Sequence, residues 1–195
     1  MSATRLLVLG VVRMSGRAHG YQVRRELLSW RADKWGNVQP GSIYHALKKM
    51  TAEGLLEQVE DAEASAGPDR VAYRLTEDGE TEFLLLLTDA LSSQEATGYS
   101  LSAAVTLMPT LPRDQVLSLL RLQLTHREAQ LTSTHYALEH AVDLGKPPHV
   151  AELYRLWSAH AEADVTWMKG LVARIEAGEY VMAGEGEPAF GEPVK

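Results

Sequence analysis

Residues 40–55 read Pro40-Gly41-Ser42-Ile43-Tyr44-His45-Ala46-Leu47-Lys48-Lys49-Met50-Thr51-Ala52-Glu53-Gly54-Leu55, and this stretch decides the fold. From Ile43 to Glu53 the apolar residues Ile43, Leu47 and Met50 recur at i, i+4 and i+7. That spacing is the narrow stripe of a helix burying one face. Ser42 or Gly41 is expected to cap its start. Gly54 supplies a left-handed stop and Leu55 the apolar closure that follows such a stop. Lys48 and Lys49 stand opposite the stripe, so the helix presents cations outward.

Toward the N-terminus, residues 35–42 read as a turn. Residues 20–31 (GYQVRRELLSWR) form an amphipathic helix with Tyr21, Val23, Leu27, Leu28 and Trp30 on one face and Arg24, Arg25 and Glu26 on the other. Residues 4–14 (TRLLVLGVVRM) are apolar almost throughout. Periodicity leaves a helix buried on most sides or a strand equally open there. Toward the C-terminus, residues 56–60 (LEQVE) and 70–75 (RVAYRL) are short and rich in β-formers. In the second, Val71, Tyr73 and Leu75 alternate with Arg70, Ala72 and Arg74. A small polar loop ending in Gly67-Pro68-Asp69 joins them into a hairpin. Thr76 caps a further helix to about Leu91, with Glu77 and Asp78 where the helix dipole favours acids. Helix–helix–helix–strand–loop–strand is the winged helix-turn-helix order. There the third helix enters the major groove and the hairpin loop reaches the DNA backbone or minor groove.

The rest of the chain reads differently. Residues 92–102 are small and polar, a linker or turn. Residues 113–144 carry Leu117, Leu120, Leu124, Leu131, Leu138 and Val142 at near-heptad steps, and residues 150–178 form a second long helical pattern ended by Gly178. One helical hairpin cannot enclose a core, so a symmetric dimer is expected. The expectation is a mainly α protein with a small β-hairpin. A winged helix-turn-helix domain over 1–91 is followed by a helical dimerisation and effector region over 92–180 and a disordered Gly/Pro/Glu-rich tail over 181–195.

Composition narrows the function. Among 195 residues there is no cysteine, which excludes disulfide scaffolds, thiolate metal sites and thiol nucleophiles. Runs such as Phe83–Leu87 are far short of the ~20 residues of a membrane span. No signal peptide is read at the N-terminus, so a soluble cytoplasmic protein with no membrane partner is expected. The net charge is −7, unpromising for nucleic acid until its distribution is examined. Residues 1–56 hold nine Lys or Arg and three acids, whereas residues 57–82 hold two basic residues and nine acids. A basic block on an acidic protein suggests a local polyanion-binding face.

Several strings together resemble the PadR-like transcriptional regulators: His19-Gly20-Tyr21, Pro40 to Leu47, Glu53-Gly54-Leu55, and Tyr73-Arg74-Leu75-Thr76-Glu77 with Gly79. Residues 101–120 and 167–178 look like the helical module of the family's longer members. The resemblance implies a homodimeric DNA-binding repressor released by a small molecule. The wing departs from the family pattern: Arg70 is flanked by Asp69, with Asp61 and Glu63 in the loop. That leaves affinity mainly to the third helix and the N-terminal basic residues.

The DNA-contact candidates are Ser42, Tyr44, His45, Lys48 and Lys49 on the third helix, Arg70 near the wing tip and Arg24 on the second helix. Hydroxyls bond phosphate oxygens, and Lys neutralises phosphate or reaches guanine. Tyr99, Tyr136, Trp157, Trp167 and Met168 are candidates for an aromatic effector pocket, with ordinary dimer core as the competing reading. His135 with Glu139, Glu139 with Asp143 and His160 with Asp164 have helical ligand spacing but read more simply as solvated contacts, so no metal or cofactor is expected. No nucleophile elbow, phosphate-binding loop or H-E-x-x-H string is present. The chain reads as a regulator of a pseudo-palindromic double-stranded operator, not an enzyme. The alternative is a winged-helix protein-interaction module that does not bind DNA.

Overall fold

A computed structural model describes residues 2–60, 71–94, 98–140 and 147–186. The chain divides into two units, Met1–Pro112 with Val181–Lys195, and Arg113–Tyr180.

The first unit is built on α1 (Ala3–Ser15). Its residues Leu6, Leu7, Val8, Leu9, Val11 and Val12 are all buried. A run this continuous suits a helix enclosed on every side, and that settles the ambiguity between helix and strand. Around it lie α2 (Gly20–Ser29), the single turn α3 (Ala32–Trp35) and α4 (Pro40–Ala52). The sheet has order β1-β3-β2, with β1 (Ala18–His19), β2 (Leu56–Glu60) and β3 (Val71–Leu75). The two longer strands pair antiparallel, Leu56 opposite Leu75 and Val59 opposite Ala72. This is the expected hairpin, and the unit is a winged helix. The loop at its tip, Arg70 included, lies outside the described residues. Strand β1 was not anticipated. Two residues carry no periodicity, and their place in the sheet comes only from pairing with Tyr73 and Ala72.

Two guanidinium groups tie α1 to α5 (Glu77–Ser92). Arg13 is buried and bonds both carboxylate oxygens of Glu80 at 2.8 and 3.0 Å. Its guanidinium carbon sits 5.3 Å from the Phe83 ring centroid. Arg5 bonds Glu82 at 3.0 Å. Thr76 caps α5 as expected, accepting from the Gly79 amide.

The expected linker at 92–102 is corrected, because α6 (Gly98–Leu107) begins inside it. Its buried residues are Ser100, Ala103, Ala104 and Leu107, at i, i+3, i+4 and i+7. The period is helical but its members are small, so hydropathy does not report it. Residues 181–186, expected to open a disordered tail, are described. Met182 is buried and the Ala183 amide donates to the Leu111 carbonyl.

The second unit pairs α7 (Arg113–Glu139) with α8 (Ala151–Glu176). Three interhelical pairs fall seven residues apart: Arg121–Glu176 at 2.6 Å, Glu128–Lys169 at 2.7 Å and His135–Glu162 at 3.0 Å. That repeat is the edge of an antiparallel two-helix coil. Arg113 donates to the carbonyls of Ile175 and Tyr180 and so satisfies the C-terminal end of α8. The expected heptad stripe is only partly a core. Leu117 and Leu120 are buried, Leu124, Leu131 and Leu138 are half-buried, and Val142 lies outside the described residues. No described helix is long and apolar enough to cross a membrane.

Candidate nucleic-acid interface

The basic face is organised by α4. The helix begins three residues before Ile43, and its cap is neither Ser42 nor Gly41 but Gln39, with Pro40 at the first helical position. Proline suits that place because the first-turn amide has no intrahelical acceptor. Ser42 serves the cap from within: its hydroxyl accepts from the Gln39 amide at 3.1 Å and donates to the Gln39 carbonyl at 2.7 Å. At the other end Gly54 has φ +75°. Its amide bonds Thr51, and that of Leu55 bonds Met50. This is the two-bond glycine stop that the sequence predicts.

Between these ends Ile43, Leu47 and Met50 are buried, which holds the opposite side outward. Tyr44, 47% exposed, His45, Lys48 and Lys49 all lie on that side. Four of the predicted contacts are therefore brought together on one helix face, with Ser42 at its start. Among the described residues Lys48 has no carboxylate partner. The Lys49 ammonium stands 3.9 Å from Glu53, at the outer limit of an ion pair. Glu53 is itself held by Arg5 at 2.6 Å.

Tyr44 owes its position to Gly20. A Cβ there would lie 2.9 Å from the Tyr44 ring, so glycine lets the ring lie against the start of α2. Arg24 is exposed on α2 beside Arg25. Arg74 is turned along the sheet to Glu57 at 2.7 Å. Arg70 lies outside the described residues.

Two features escaped the sequence reading. Tyr21, assigned to the apolar face of α2, is 44% exposed and stacks on His19 with ring centroids 5.7 Å apart. Of the residues assigned to that face of α2, only Val23 and Leu27 are fully buried. The second is a cleft of about 220 Å³ whose lining includes Ser2, Thr4 and Arg5 of the α1 end and Ser42, His45 and Lys49 of α4. No local motif announces it, since its two sides are some forty residues apart in sequence.

The aromatic candidates are dispersed. Tyr99 lies exposed on α6 in the first unit, and the other four belong to the second. Tyr136 stacks on His140 at 4.1 Å, and Trp157 meets Tyr154 edge-on at 5.5 Å. Trp167 is exposed and Met168 buried. His135 faces Glu162 and not Glu139. No cluster of three or more His, Asp or Glu suited to a metal occurs among the described residues.

Residues 8–84 match the model of the transcriptional regulator PadR-like family. Among solved structures the chain is similar to PadR of Bacillus subtilis in complex with operator DNA, at 20% identity over 88% of this chain and 98% of that one, with a TM-score of 0.39. The same protein with p-coumaric acid gives 20% identity, 89% and 96% coverage and a TM-score of 0.38. A PadR-like transcriptional regulator from Bacillus cereus gives 16% identity, 90% and 99% coverage and a TM-score of 0.36. No curated protein matches the chain. The winged helix of this chain, over residues 8–84, is thus a domain of the transcriptional regulator PadR-like family.

Proposed function

We propose that this regulator is a homodimeric, non-enzymatic repressor of the cytoplasm that binds a pseudo-palindromic operator in double-stranded DNA. In this reading α4 enters the major groove and a small aromatic effector releases the protein. One observation carries it: α4 buries Ile43, Leu47 and Met50 and turns Tyr44, His45, Lys48 and Lys49 to solvent. A cationic and hydroxyl-bearing helix face of this kind suits phosphate and base edges at once. The net charge of −7 repels DNA elsewhere, so binding is concentrated on this face and falls with salt as counterions are released. Arg24 adds a backbone contact at the edge, and Arg70 one from the wing.

Dimerisation is assigned to α8. Leu153, Leu156, Trp157 and Trp167 are all 40% or more exposed, and their spacing places them on one side of the helix. An apolar stripe of this length needs cover. A second copy supplies it by symmetry and pairs two α4 helices for half-sites ~34 Å apart. Tyr99, Tyr136, Trp157, Trp167 and Met168 are the effector candidates. A ligand that favours a mismatched spacing of the two α4 helices would weaken DNA by its differential affinity for the two states.

The test is a mobility shift on the DNA upstream of the coding sequence at two salt concentrations. A complex that weakens steeply with salt supports the reading. Absence of any shift at low salt favours the winged-helix protein-interaction module instead. The effector assignment is tested by fluorescence of Trp157→Phe and Trp167→Phe during titration with a releasing compound. Signals confined to Trp30 and Trp35 would overturn it.

A further inference from the structure

We infer that the cleft between the start of α1 and the edge of α4 holds a phosphate of the DNA backbone, with Ser2 and Thr4 as contacts alongside His45 and Lys49. The inference rests on the DNA-binding reading above and divides the work of α4 between bases and backbone.

The division follows from helical geometry. At about 100° per residue, Tyr44 lies roughly 40° to one side of Lys48, while His45 and Lys49 lie roughly 60° and 100° to the other. The α4 helix therefore has a central line and two flanks. The Tyr44 flank lies against Gly20 of α2. The Lys49 flank opens onto the cleft, which Ser2 and Thr4 close from the α1 side. A helix seated in a major groove ~12 Å wide has a sugar–phosphate strand on either side. Lys48 then points to base edges, and the groups on the Lys49 flank meet one strand.

The chemistry of the cleft suits that strand. Besides the Ser42 hydroxyl, which donates to Gln39, and the ion-paired Arg5, it offers two hydroxyls, an imidazole and an ammonium, all able to donate to phosphate oxygens. The Ser2 side chain makes no bond to its own helix, so its hydroxyl is available. Among the described residues the carboxylate paired with Lys49 is that of Glu53, and it is already held by Arg5 at 2.6 Å. Lys49, at 3.9 Å from Glu53, keeps most of its charge for an incoming anion.

The experiment uses full-length Ser2→Asp and Thr4→Asp, with Ser118→Asp on the exposed side of α7 as a control of equal charge. Aspartate is a favoured cap and first-turn residue, so both cleft variants retain their thermal stability while placing a negative charge where the phosphate would sit. Each should weaken operator binding about tenfold at low salt beyond the control. Ethylation interference on the wild type should mark one phosphate per half-site whose effect disappears in Thr4→Asp. Two results overturn the inference: cleft variants that bind like Ser118→Asp, or stabilisation by inorganic phosphate alone that the cleft variants lose, which assigns the cleft to a free anion. If Lys48→Ala weakens binding and Thr4→Asp does not, only the cleft assignment falls. A wild type that shifts no DNA at low salt removes the DNA-binding reading and the inference with it.

Discussion

Helices α4 and α8 follow one plan with opposite surfaces. Each buries a stripe at helical spacing, Ile43, Leu47 and Met50 in the first and Val165, Met168, Leu171, Val172 and Ile175 in the second. Each leaves another side uncovered. On α4 that side carries Tyr44, His45, Lys48 and Lys49, and on α8 it carries Leu153, Leu156, Trp157 and Trp167. A face of cations stays hydrated until a polyanion displaces its water and counterions. A face of Leu and Trp gains free energy only by leaving water altogether. The uncovered side of a helix therefore indicates the chemistry of its partner, while the buried side indicates only where the helix sits.

The largest effect expected from breaking this contrast lies on α8. Leu156→Glu with Trp157→Glu should convert the proposed dimer to a monomer in sedimentation and lower operator affinity by about a hundredfold, since simultaneous engagement of two half-sites is lost. A charged variant that still sediments as a dimer would show that this stripe is not the interface. Lys48→Ala with Lys49→Ala should leave the oligomeric state untouched. It should lower affinity and reduce the slope of log affinity against log salt by about one, the share of Lys49 on the phosphate flank, while Lys48 acts at base edges. An unchanged slope would remove Lys49 from the phosphate contacts.

Smaller effects sharpen the contrast. Gly20→Ala places a Cβ 2.9 Å from the Tyr44 ring. It should cost about 1–3 kcal/mol in denaturant unfolding and weaken DNA by displacing Tyr44, whereas Gly41→Ala, where a Cβ meets nothing within 4 Å, should leave both near wild type. Equal behaviour of the two variants would contradict the Tyr44 packing. The smallest change is expected at the charged edge of the second unit. Lys169→Ala removes a 2.7 Å pair with Glu128 in which both side chains are about half exposed, and unfolding should shift by no more than ~1 kcal/mol. A much larger loss would mean that the heptad pairs stabilise the hairpin more than its apolar contacts do.

Much of the first unit was legible because its signals are local. Gly54 had to adopt a positive φ for α4 to turn into β2, and Thr76 had to cap α5. The misplaced start of α4 has an equally local cause. Gln39 is a less familiar cap than serine, and Pro40 reads as a breaker although it is tolerated in the first turn. Tyr21 was misassigned because an aromatic residue near an apolar stripe satisfies periodicity whether buried or not. Helix α6 was hidden by the small size of Ser100, Ala103 and Ala104.

The sequence by itself determined the order of the long elements, the hairpin, the cationic face of α4 and the likeness of its winged helix to the PadR-like regulators. Periodicity, caps and glycine stops act within a few residues and survive without knowledge of the rest of the chain. Tertiary structure alone decided which residues of equal hydropathy are covered. Leu120 is buried and Leu122, two positions on, is half exposed. It alone decided that α1 is a central helix, that Ala18 and His19 join the sheet, and that Ser2, Thr4, His45 and Lys49 border one cleft. Burial and convergence depend on segments far apart in the chain, and no local pattern encodes that proximity.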